Sequence, residues 1–301
     1  MGIMLGPNQY GKAEVRVVAV DRTSSRHSLV DLNVSSALRG DFAAAHTVGD
    51  NSHVLTTDAQ KNTVFAFARD GVGSPEAFGL RLARHFAGAY DWITGARVAV
   101  ESYGWERISV GGVEHDHSFR RAGGETRTAV VTVDGDRAHV VAGLTDLVVL
   151  KTTGSEFRGF PRDRYTTLAE TRDRILATAV TARWRYTTTD LDFDACFAGV
   201  RTTLLETFAA THSLALQQSL YAMGEAVLEQ FSDIAEVRMS MPNRHHFLQD
   251  LSAYGLDNTP DGPGLVVYHA DDRPYGLIEG TVLRDDADPA EIAWQGTPGF
   301  C

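Results

Sequence analysis

The sequence predicts an α+β fold built from two similar units, each an antiparallel sheet with helices on one face. Three observations support this prediction. Several short segments alternate between apolar and polar residues, which is typical of half-buried strands. Two pairs of helices, recognisable by apolar stripes, lie between those segments. The order of strands, two helices and further strands occurs twice, although no repeat is visible residue by residue.

The first unit opens with two predicted strands, at residues 12–21 and 27–34, joined by a polar turn. In the second of them the apolar residues share one face: Val30, Leu32 and Val34. Further strands are predicted at 93–103, 113–121, 126–133 and 137–144. Asp134-Gly135 lies between the last two strands, and this pair of residues favours a tight hairpin turn.

Two helices are predicted between these strands. The first begins with Thr57 or Asp58 near its N-cap, where a short polar side chain accepts hydrogen bonds from free backbone amides. The second begins at Ser74, followed by Pro75, a residue suited to the first helical position. Residues spaced four apart should form its buried stripe: Phe78, Leu82, Phe86 and Tyr90.

The second unit repeats the order after a glycine-rich and charged loop at 150–165. A strand is predicted at 173–187, helices at 193–210 and 214–231, and strands near 235–241, 264–269 and 276–283. These elements divide the chain into a first unit at 10–148 and a second at 149–285. The acidic residues 286–301 are predicted to form a loose C-terminal tail.

Composition narrows the classes of function. The net charge of −11 and the pI of about 5.4 argue against nucleic acid or an anionic membrane as a partner. No apolar run reaches the roughly 20 residues needed to span a bilayer. The chain has two cysteines, of which Cys196 should be a buried thiol, while Cys301 could pair only if the tail were held. A reducing, cytoplasmic location is therefore expected.

Common catalytic and nucleotide-binding motifs are absent from the sequence. There is no glycine-rich dinucleotide or phosphate loop and no nucleophile elbow around a serine. His115 and His117 lie two apart on a predicted strand, so they could bind a metal with a third, distant ligand. A solvated strand face is the favoured interpretation of that pair. His245 and His246 are adjacent, which does not suit a shared metal.

Lysine usage is unusually sparse. Of the 28 basic residues only three are lysines, namely Lys12, Lys61 and Lys151. Because lysine can lose its proton in a suitable environment and arginine cannot, at least one of the three is a candidate proton-transfer group. A structural role is favoured for Lys151, and both interpretations remain open for the other two.

Four stretches, spread over both halves of the chain, resemble the urate oxidase (uricase) family. They are YGK at 10–12, VLTTDAQKNT at 54–63, FRGFPRDRYTTLAETRDRIL at 157–176 and MPNRHHF at 241–247. The resemblance implies the tunnelling fold (T-fold), with two units in each chain and four chains around a barrel-like tunnel. It also implies active sites at the interfaces between subunits, and no cofactor or metal.

The resemblance carries the family's site onto positions in both units. A catalytic set for proton transfer is implied at Lys12, Thr57 and His245. A substrate-binding set is implied at Thr57, Asp58, Phe157, Arg174, Leu216, Gln217 and Asn243, in which Asp58 and Leu216 act through their backbone amides. Gln217 is chosen by counting back from Tyr221, but Gln218 is its neighbour and the choice between the two stays open.

These residue types suit urate, a flat anion with donors and acceptors along its edges. An arginine fork can bind an oxygen and the adjacent ring nitrogen, an amide side chain can both donate and accept, and a phenylalanine ring can stack. The implied reaction converts urate, O2 and water to 5-hydroxyisourate and hydrogen peroxide, in purine degradation. Taken singly, each residue also has a structural interpretation, such as a helix cap for Thr57 or ordinary core for Phe157.

Two alternatives remain. The first is another T-fold enzyme acting on a pterin or a purine-like compound. Such enzymes usually work from a glutamate anchor or a zinc site, so Arg174 and Gln217 facing one pocket without a metal would argue against this alternative. The second is a non-catalytic oligomer that binds purines. A base is not required for binding alone, so the set of Lys12, Thr57 and His245 argues against this second alternative.

Overall fold

Twelve strands and six α-helices form the part of the chain that the computed structural model describes, residues 2–260 and 264–297. The strands are β1 Tyr10–Asp21, β2 Ser28–Gly40, β3 Ile93–Ser102, β4 Trp105–Val110, β5 Val113–Arg121, β6 Thr126–Asp134, β7 Arg137–Lys151, β8 Leu176–Tyr186, β9 Ile234–Pro242, β10 His245–Leu248, β11 Tyr268–Asp271 and β12 Leu277–Leu283. The helices are α1 Ala43–Thr47, α2 Thr57–Arg69, α3 Pro75–Ala87, α4 Phe193–Ala210, α5 Leu216–Gln230 and α6 Glu291–Trp294.

Eight of these strands form one antiparallel sheet in the order β1-β2-β3-β6-β7-β8-β9-β12. Each half of this sheet contains two strands, then a pair of longer helices, then two strands, which is the doubled order seen in the sequence. The sheet continues across the middle without a break, and the boundary proposed between residues 148 and 149 falls inside β7. The division into two units at that position stays a prediction.

The four longer helices cover one face of the sheet and enclose the core. α2 packs on β1, α3 on β3 and β6, and α5 on β9 and β12. The largest fully buried side chains lie between these layers and include Trp184, Phe42, Phe78, Phe86 and Met223. Each large apolar side chain buried in this way contributes about 1.5–3 kcal/mol relative to its exposure to water.

The helix starts agree with the sequence in one case and differ in the other. Ser74 caps α3 as predicted, since its side chain accepts a hydrogen bond from the amide of Ala77 at 3.2 Å. The cap of α2 is Thr56, which accepts from Ala59 at 3.1 Å. The prediction of Thr57 or Asp58 at that position was therefore wrong by one or two residues, and Thr57 is the first helical residue.

The buried stripe of α3 is shorter than expected. Phe78, Leu82 and Phe86 are fully buried, as the four-residue spacing predicts. Tyr90 is not part of the stripe, because the helix ends at Ala87 and the chain turns away. The Tyr90 side chain is 42% exposed and its ring stacks on Trp92 at 4.5 Å.

Several strand predictions need correction. Neither β4 nor β10 was predicted, and β4 forms a separate exposed hairpin with β5. β8 begins at Leu176 rather than at 173, because the residues before it belong to a loop that pairs elsewhere. The strand expected at 264–269 is β11, Tyr268–Asp271, which pairs with β10 outside the main sheet.

For residues 286–297, the part of the predicted tail that the structure describes, the prediction of a loose segment was wrong. Here the chain crosses the face of the sheet opposite the four longer helices, where α6 packs on β6 and β7. Trp294 is 8% exposed, donates a hydrogen bond from its indole nitrogen to buried Glu236 at 2.9 Å, and lies under the guanidinium of Arg238. Cys196 is a buried free thiol as predicted, and Cys301 lies outside the described residues.

Candidate functional site

The site residues implied by the sequence fall into two groups within one chain. The first, the Lys12 group, consists of Lys12, Thr57 and Asp58 at the starts of β1 and α2. The second, the Arg174 group, lies around the start of β8 and consists of Phe157, Arg174, Leu216, Gln217, Asn243 and His245.

A β-bulge determines which face of the sheet Lys12 occupies. Lys12 pairs with Ser36 and Val15 pairs with Val34, so β1 has one residue more than β2 over this stretch. Glu14 within the bulge has φ +57°, a left-handed backbone conformation. In a regular strand Lys12, three residues before the buried Val15, would lie on the face away from the helices. The bulge takes up the extra residue, so Lys12 shares the helix-covered face with Ser36, whose hydroxyl donates to Gln60 of α2 at 2.8 Å.

The start of α2 supplies the other members of the Lys12 group. Thr57 and Asp58 lie in the first turn, where backbone amides have no partner within the helix. The Asp58 carboxylate accepts a hydrogen bond from Lys61 at 2.6 Å. Lys61, and to a smaller extent the charge of nearby Lys12, hold the pKa of Asp58 below its ordinary value. Lys61 therefore has a partner on the helix surface, while Lys12 lies beside the first turn.

Phe157 and Arg174 are brought together by a loop that folds back on itself. Phe157 and Thr171 exchange two backbone hydrogen bonds of 3.0 Å, and this pairing places Arg174 beside the Phe157 ring. The Arg174 guanidinium carbon lies 5.0 Å from the centre of that ring. Phe160 stacks against Phe157 at 5.1 Å, so one face of the Phe157 ring is supported from within the chain.

Arg174 carries an unsatisfied donor. Its Nε is buried and has no hydrogen-bond partner among the described residues, and burial lowers the pKa of its guanidinium. A buried donor without a partner costs about 1–3 kcal/mol. Such a group is expected where a ligand supplies the missing acceptor.

The start of α5 distinguishes the two neighbouring glutamines. Gln218 is occupied within the chain, since its side-chain oxygen accepts a hydrogen bond from the amide of Leu214 at 2.7 Å. Gln217 is exposed. Leu216 is buried and is the first residue of the helix, and Ala215 before it provides no side-chain cap. The amide of Leu216 and the side chain of Gln217 are therefore the groups here that can bind a ligand.

Asn243 joins the Arg174 group through the sheet. Its backbone amide donates to the carbonyl of Gly276 at 2.9 Å, and its backbone forms a β-bridge with Thr178 near the start of β8. His245 follows in β10, and its ring stacks on Phe247. His245 borders a cavity of about 460 Å³ that also contacts Ala177, the second residue of β8.

The two groups are far apart within one chain. The strand pairs place Lys12 in register with the end of β8 at Tyr186, whereas Arg174 precedes the opposite end at Leu176. At about 4.8 Å per strand and 3.3 Å per residue, five strand steps and ten residues correspond to roughly 24 Å across the sheet and 33 Å along it. One chain does not bring Lys12 and Thr57 to His245.

The remaining lysine and the paired histidines have local roles. Lys151 donates hydrogen bonds to the carbonyls of Phe208 and Thr211 at the end of α4, so it caps that helix as a structural residue. The rings of His115 and His117 are in contact at 4.5 Å, and His27 lies next to His117. Across residues 2–260 and 264–297, no group of three or more metal-ligating side chains is arranged to hold an ion.

Sequence reasoning missed two residues that border the site. The carboxylate of Glu156, next to Phe157, pairs with His212 at 2.9 Å in the loop that precedes Gln217. Neither residue belongs to an obvious motif. The position of Glu156 beside the ring is the one signal that could have drawn attention to it.

Comparison with known proteins agrees with the resemblance. The model of the uricase family matches residues 8–132 and 140–279. A uricase of Arthrobacter globiformis is 56% identical over 99% of this chain and 96% of its own length, and one of Dictyostelium discoideum is 38% identical over 92% and 96%.

Solved structures agree as well. A crystal structure of Arthrobacter globiformis uricase superimposes with a TM-score of 0.91 at 57% identity, over 96% of this chain and 97% of that one. A Bacillus sp. TB-90 urate oxidase structure gives 0.79 at 25% identity, over 92% and 100%. The α+β tunnelling fold expected from the sequence is confirmed.

Proposed function

This chain belongs to the uricase family, and from that membership we propose that it oxidises urate with molecular oxygen. The proposed products are 5-hydroxyisourate and hydrogen peroxide, formed without a cofactor or metal in purine degradation. The atoms balance, since urate, O2 and water together contain the atoms of the two products. The observation that best supports a ligand of this kind is the buried Nε of Arg174, which lacks an acceptor beside the Phe157 ring.

The Arg174 group would bind the purine. The Phe157 ring would offer an aromatic surface on which a flat ring can stack. Arg174 would place its fork on a urate oxygen and the adjacent ring nitrogen, which would satisfy the buried Nε. Gln217 would donate to and accept from the opposite edge, and the amide of Leu216 would bind a further oxygen.

The Lys12 group would remove the proton. Urate becomes easier to oxidise as it loses a second proton, so an accepting base is needed before electrons pass to oxygen. Lys12 would accept that proton through the Thr57 hydroxyl while the amide of Asp58 binds substrate, and His245 would relay the proton. Asn243 would hold O2, and later water, above the ring.

A complete site would then need two chains. The large separation between Lys12 and Arg174 within one chain supports an assembly in which each site takes one group from each subunit. The edge strands β1 and β12 are the parts of the sheet free to meet a neighbouring copy. We propose a homotetramer with four such sites around a tunnel, in the cytoplasm, without a nucleic-acid or membrane partner. Among the described residues no helix has the length and apolarity to cross a bilayer.

Two other functions would leave different signatures. A T-fold enzyme for a pterin or another purine-like compound would turn over that compound and not urate. A purine-binding oligomer would bind urate without consuming oxygen. The alternatives are therefore separable by substrate and by turnover.

The first experiment measures urate consumption and peroxide release in air, with and without a strong chelator. We expect equal urate loss and peroxide formation in both samples. Activity lost only with the chelator would contradict the metal-free mechanism and direct attention to His115 and His117. Absence of urate loss in both samples would contradict the proposed function.

A further inference from the structure

Two loops present the purine-binding residues and are held to each other. The Phe157 loop comprises residues 152–175 between β7 and β8, and the Gln217 loop comprises residues 211–215 between α4 and α5. The substrate would lie between Phe157 from one loop and Gln217 just after the other. The distance between these loops therefore determines how well a planar ligand fits both residues at once.

Backbone contacts join the loops at one point. The amide of Ser213 donates to the carbonyl of Gly154 at 2.9 Å, and the amide of Glu156 donates to the carbonyl of Ser213 at 2.7 Å. Ser213 is fully buried, and its hydroxyl contacts that of Ser219 in α5 at 2.6 Å. This isolated parallel bridge joins the two loops at Ser213, so any further contact between the loops adds to what fixes their spacing.

A side-chain contact between Glu156 and His212 also joins the two loops. His212 Nε2 lies 2.9 Å from one oxygen of Glu156, and Arg158 donates to the other oxygen at 2.6 Å. The Glu156 side chain is 14% exposed although it carries a charge. Its two partners hold the pKa of the Glu156 carboxyl below its ordinary value.

The extended backbone explains how this contact reaches the substrate side. Successive side chains of an extended segment point to opposite faces, so Glu156 and Arg158 are expected on the side of the segment opposite to Phe157. The carboxylate thus connects the residues on both sides of Phe157 to each other and to the Gln217 loop.

We propose that Glu156 and His212 are positioning residues, whose contact fixes the Phe157 ring relative to Gln217 for binding of a planar purine. This inference rests on the proposed function. Neither side chain is required to touch the substrate, and neither belongs to the Lys12 group. Loosening the contact should therefore weaken substrate binding more than it slows the chemical step.

The test separates KM from kcat. For His212→Ala we expect the KM for urate to rise about fivefold, as a charge-assisted hydrogen bond is lost, with kcat within about twofold of wild type. His212→Gln keeps a donor at this position and should restore a KM close to wild type. A purely structural role would lower the folded fraction and leave KM unchanged.

A double-mutant cycle tests whether the two residues act through each other. Glu156→Ala combined with His212→Ala should raise KM no further than either change alone. The matched control is Glu114→Ala, which removes an exposed carboxylate paired with Arg26 on another part of the surface and should leave KM unchanged.

The outcomes distinguish this inference from the proposed function. An unchanged KM in His212→Ala, or increases that multiply in the double variant, would overturn the positioning role while urate turnover by the wild type stands. A wild-type protein that does not consume urate would overturn the proposed function, and the positioning role with it.

Discussion

The Lys12 group and the Arg174 group differ in how their surrounding polar side chains are hydrogen-bonded within the chain. Around Lys12 two polar side chains have partners within the chain, because Ser36 is bonded to Gln60 and Asp58 to Lys61. Around Arg174 a buried donor has no partner among the described residues, and it lies beside the half-buried Phe157 ring. A ligand would therefore complete the hydrogen bonding of the Arg174 group, whereas the Lys12 group is the proposed proton acceptor.

Lys12 in β1 and Lys151 in β7 also differ in their hydrogen-bond partners within the chain. Lys151 in β7 is bound to the carbonyls that end α4, and burial lowers the pKa of its ammonium. Lys12 in β1 lies beside the first turn of α2. The lysine at the end of β7 is thus structural, whereas the lysine near the start of β1 is proposed to transfer a proton.

The largest effect is expected from Lys12→Met. Loss of a general base costs about 10²–10⁴-fold in rate, so turnover should almost vanish while urate binding persists. Oxygen uptake and equilibrium binding measure the two properties. Unchanged turnover would remove Lys12 from the mechanism.

Complementation between variants tests whether the groups come from different chains. Lys12→Met and Arg174→Gln should each be nearly inactive alone. Co-assembled at equal amounts, they should recover up to about a quarter of wild-type activity, because one site in four combines an intact group from each chain. Mixed oligomers without activity would contradict the two-chain site.

Trp294→Ala should lower the stability of the protein without affecting the Lys12 group or the Arg174 group. Removal of a buried indole is expected to lower the free energy of unfolding by about 3–5 kcal/mol, because it leaves a cavity and deprives Glu236 of a donor. Denaturant unfolding at fixed protein concentration measures the change. Trp294→Phe, which keeps the ring contact with Arg238, should lose less. KM should remain at the wild-type value, and a changed KM would connect the tail to the site.

Arg174→Lys should weaken the substrate clamp while keeping its charge. Lysine cannot offer two parallel donors, so we expect kcat/KM to fall roughly 30-fold, about 2 kcal/mol. Steady-state kinetics with urate measures it. Arg172→Lys, at an exposed position two residues earlier, is the matched control and should behave as wild type. Equal values for both variants would show that charge alone suffices.

The smallest effect distinguishes the neighbouring glutamines. Gln217→Ala should raise KM about tenfold through loss of a double hydrogen bond to substrate. Gln218→Ala should instead lower the free energy of unfolding by about 1 kcal/mol, because the amide of Leu214 loses its acceptor. Steady-state kinetics measures the change in KM, and thermal unfolding measures the change in stability. A raised KM in Gln218→Ala, with KM unchanged in Gln217→Ala, would indicate that Gln218 binds the substrate.

Local patterns predicted much of the fold because they determine local structure. Ser74-Pro75 placed the start of α3, and the stripe through Phe78 and Phe86 described its buried face. The tail was misjudged because its order depends on contacts with residues far away in the sequence, such as the hydrogen bond from Trp294 to Glu236, 58 positions earlier. A periodic pattern cannot show a single anchoring side chain.

The chemistry of the site was accessible only through family resemblance. Residue types and spacing did not reveal that Phe157 and Arg174 meet, because a loop pairing between Phe157 and Thr171 brings them together. The structure shows that contact, and it also shows that the side chain of Gln218 accepts a hydrogen bond from the amide of Leu214. The contact between Glu156 and His212 could not be foreseen, since it joins loops 56 positions apart in the chain.

The bulge in β1 has a consequence for how the gene can change. Lys12 lies three residues before Val15, and the bulge at Glu14 places both side chains on the helix-covered face. A β-branched residue disfavours the φ of +57° found at position 14, so Glu14→Val would favour regular alternation and turn the lysine to the opposite side of the sheet. Deletion of Glu14 would instead remove the bulge together with its residue, which leaves Lys12 two positions before Val15 and on its original side. Conformation at position 14 is therefore more constrained than length in this stretch.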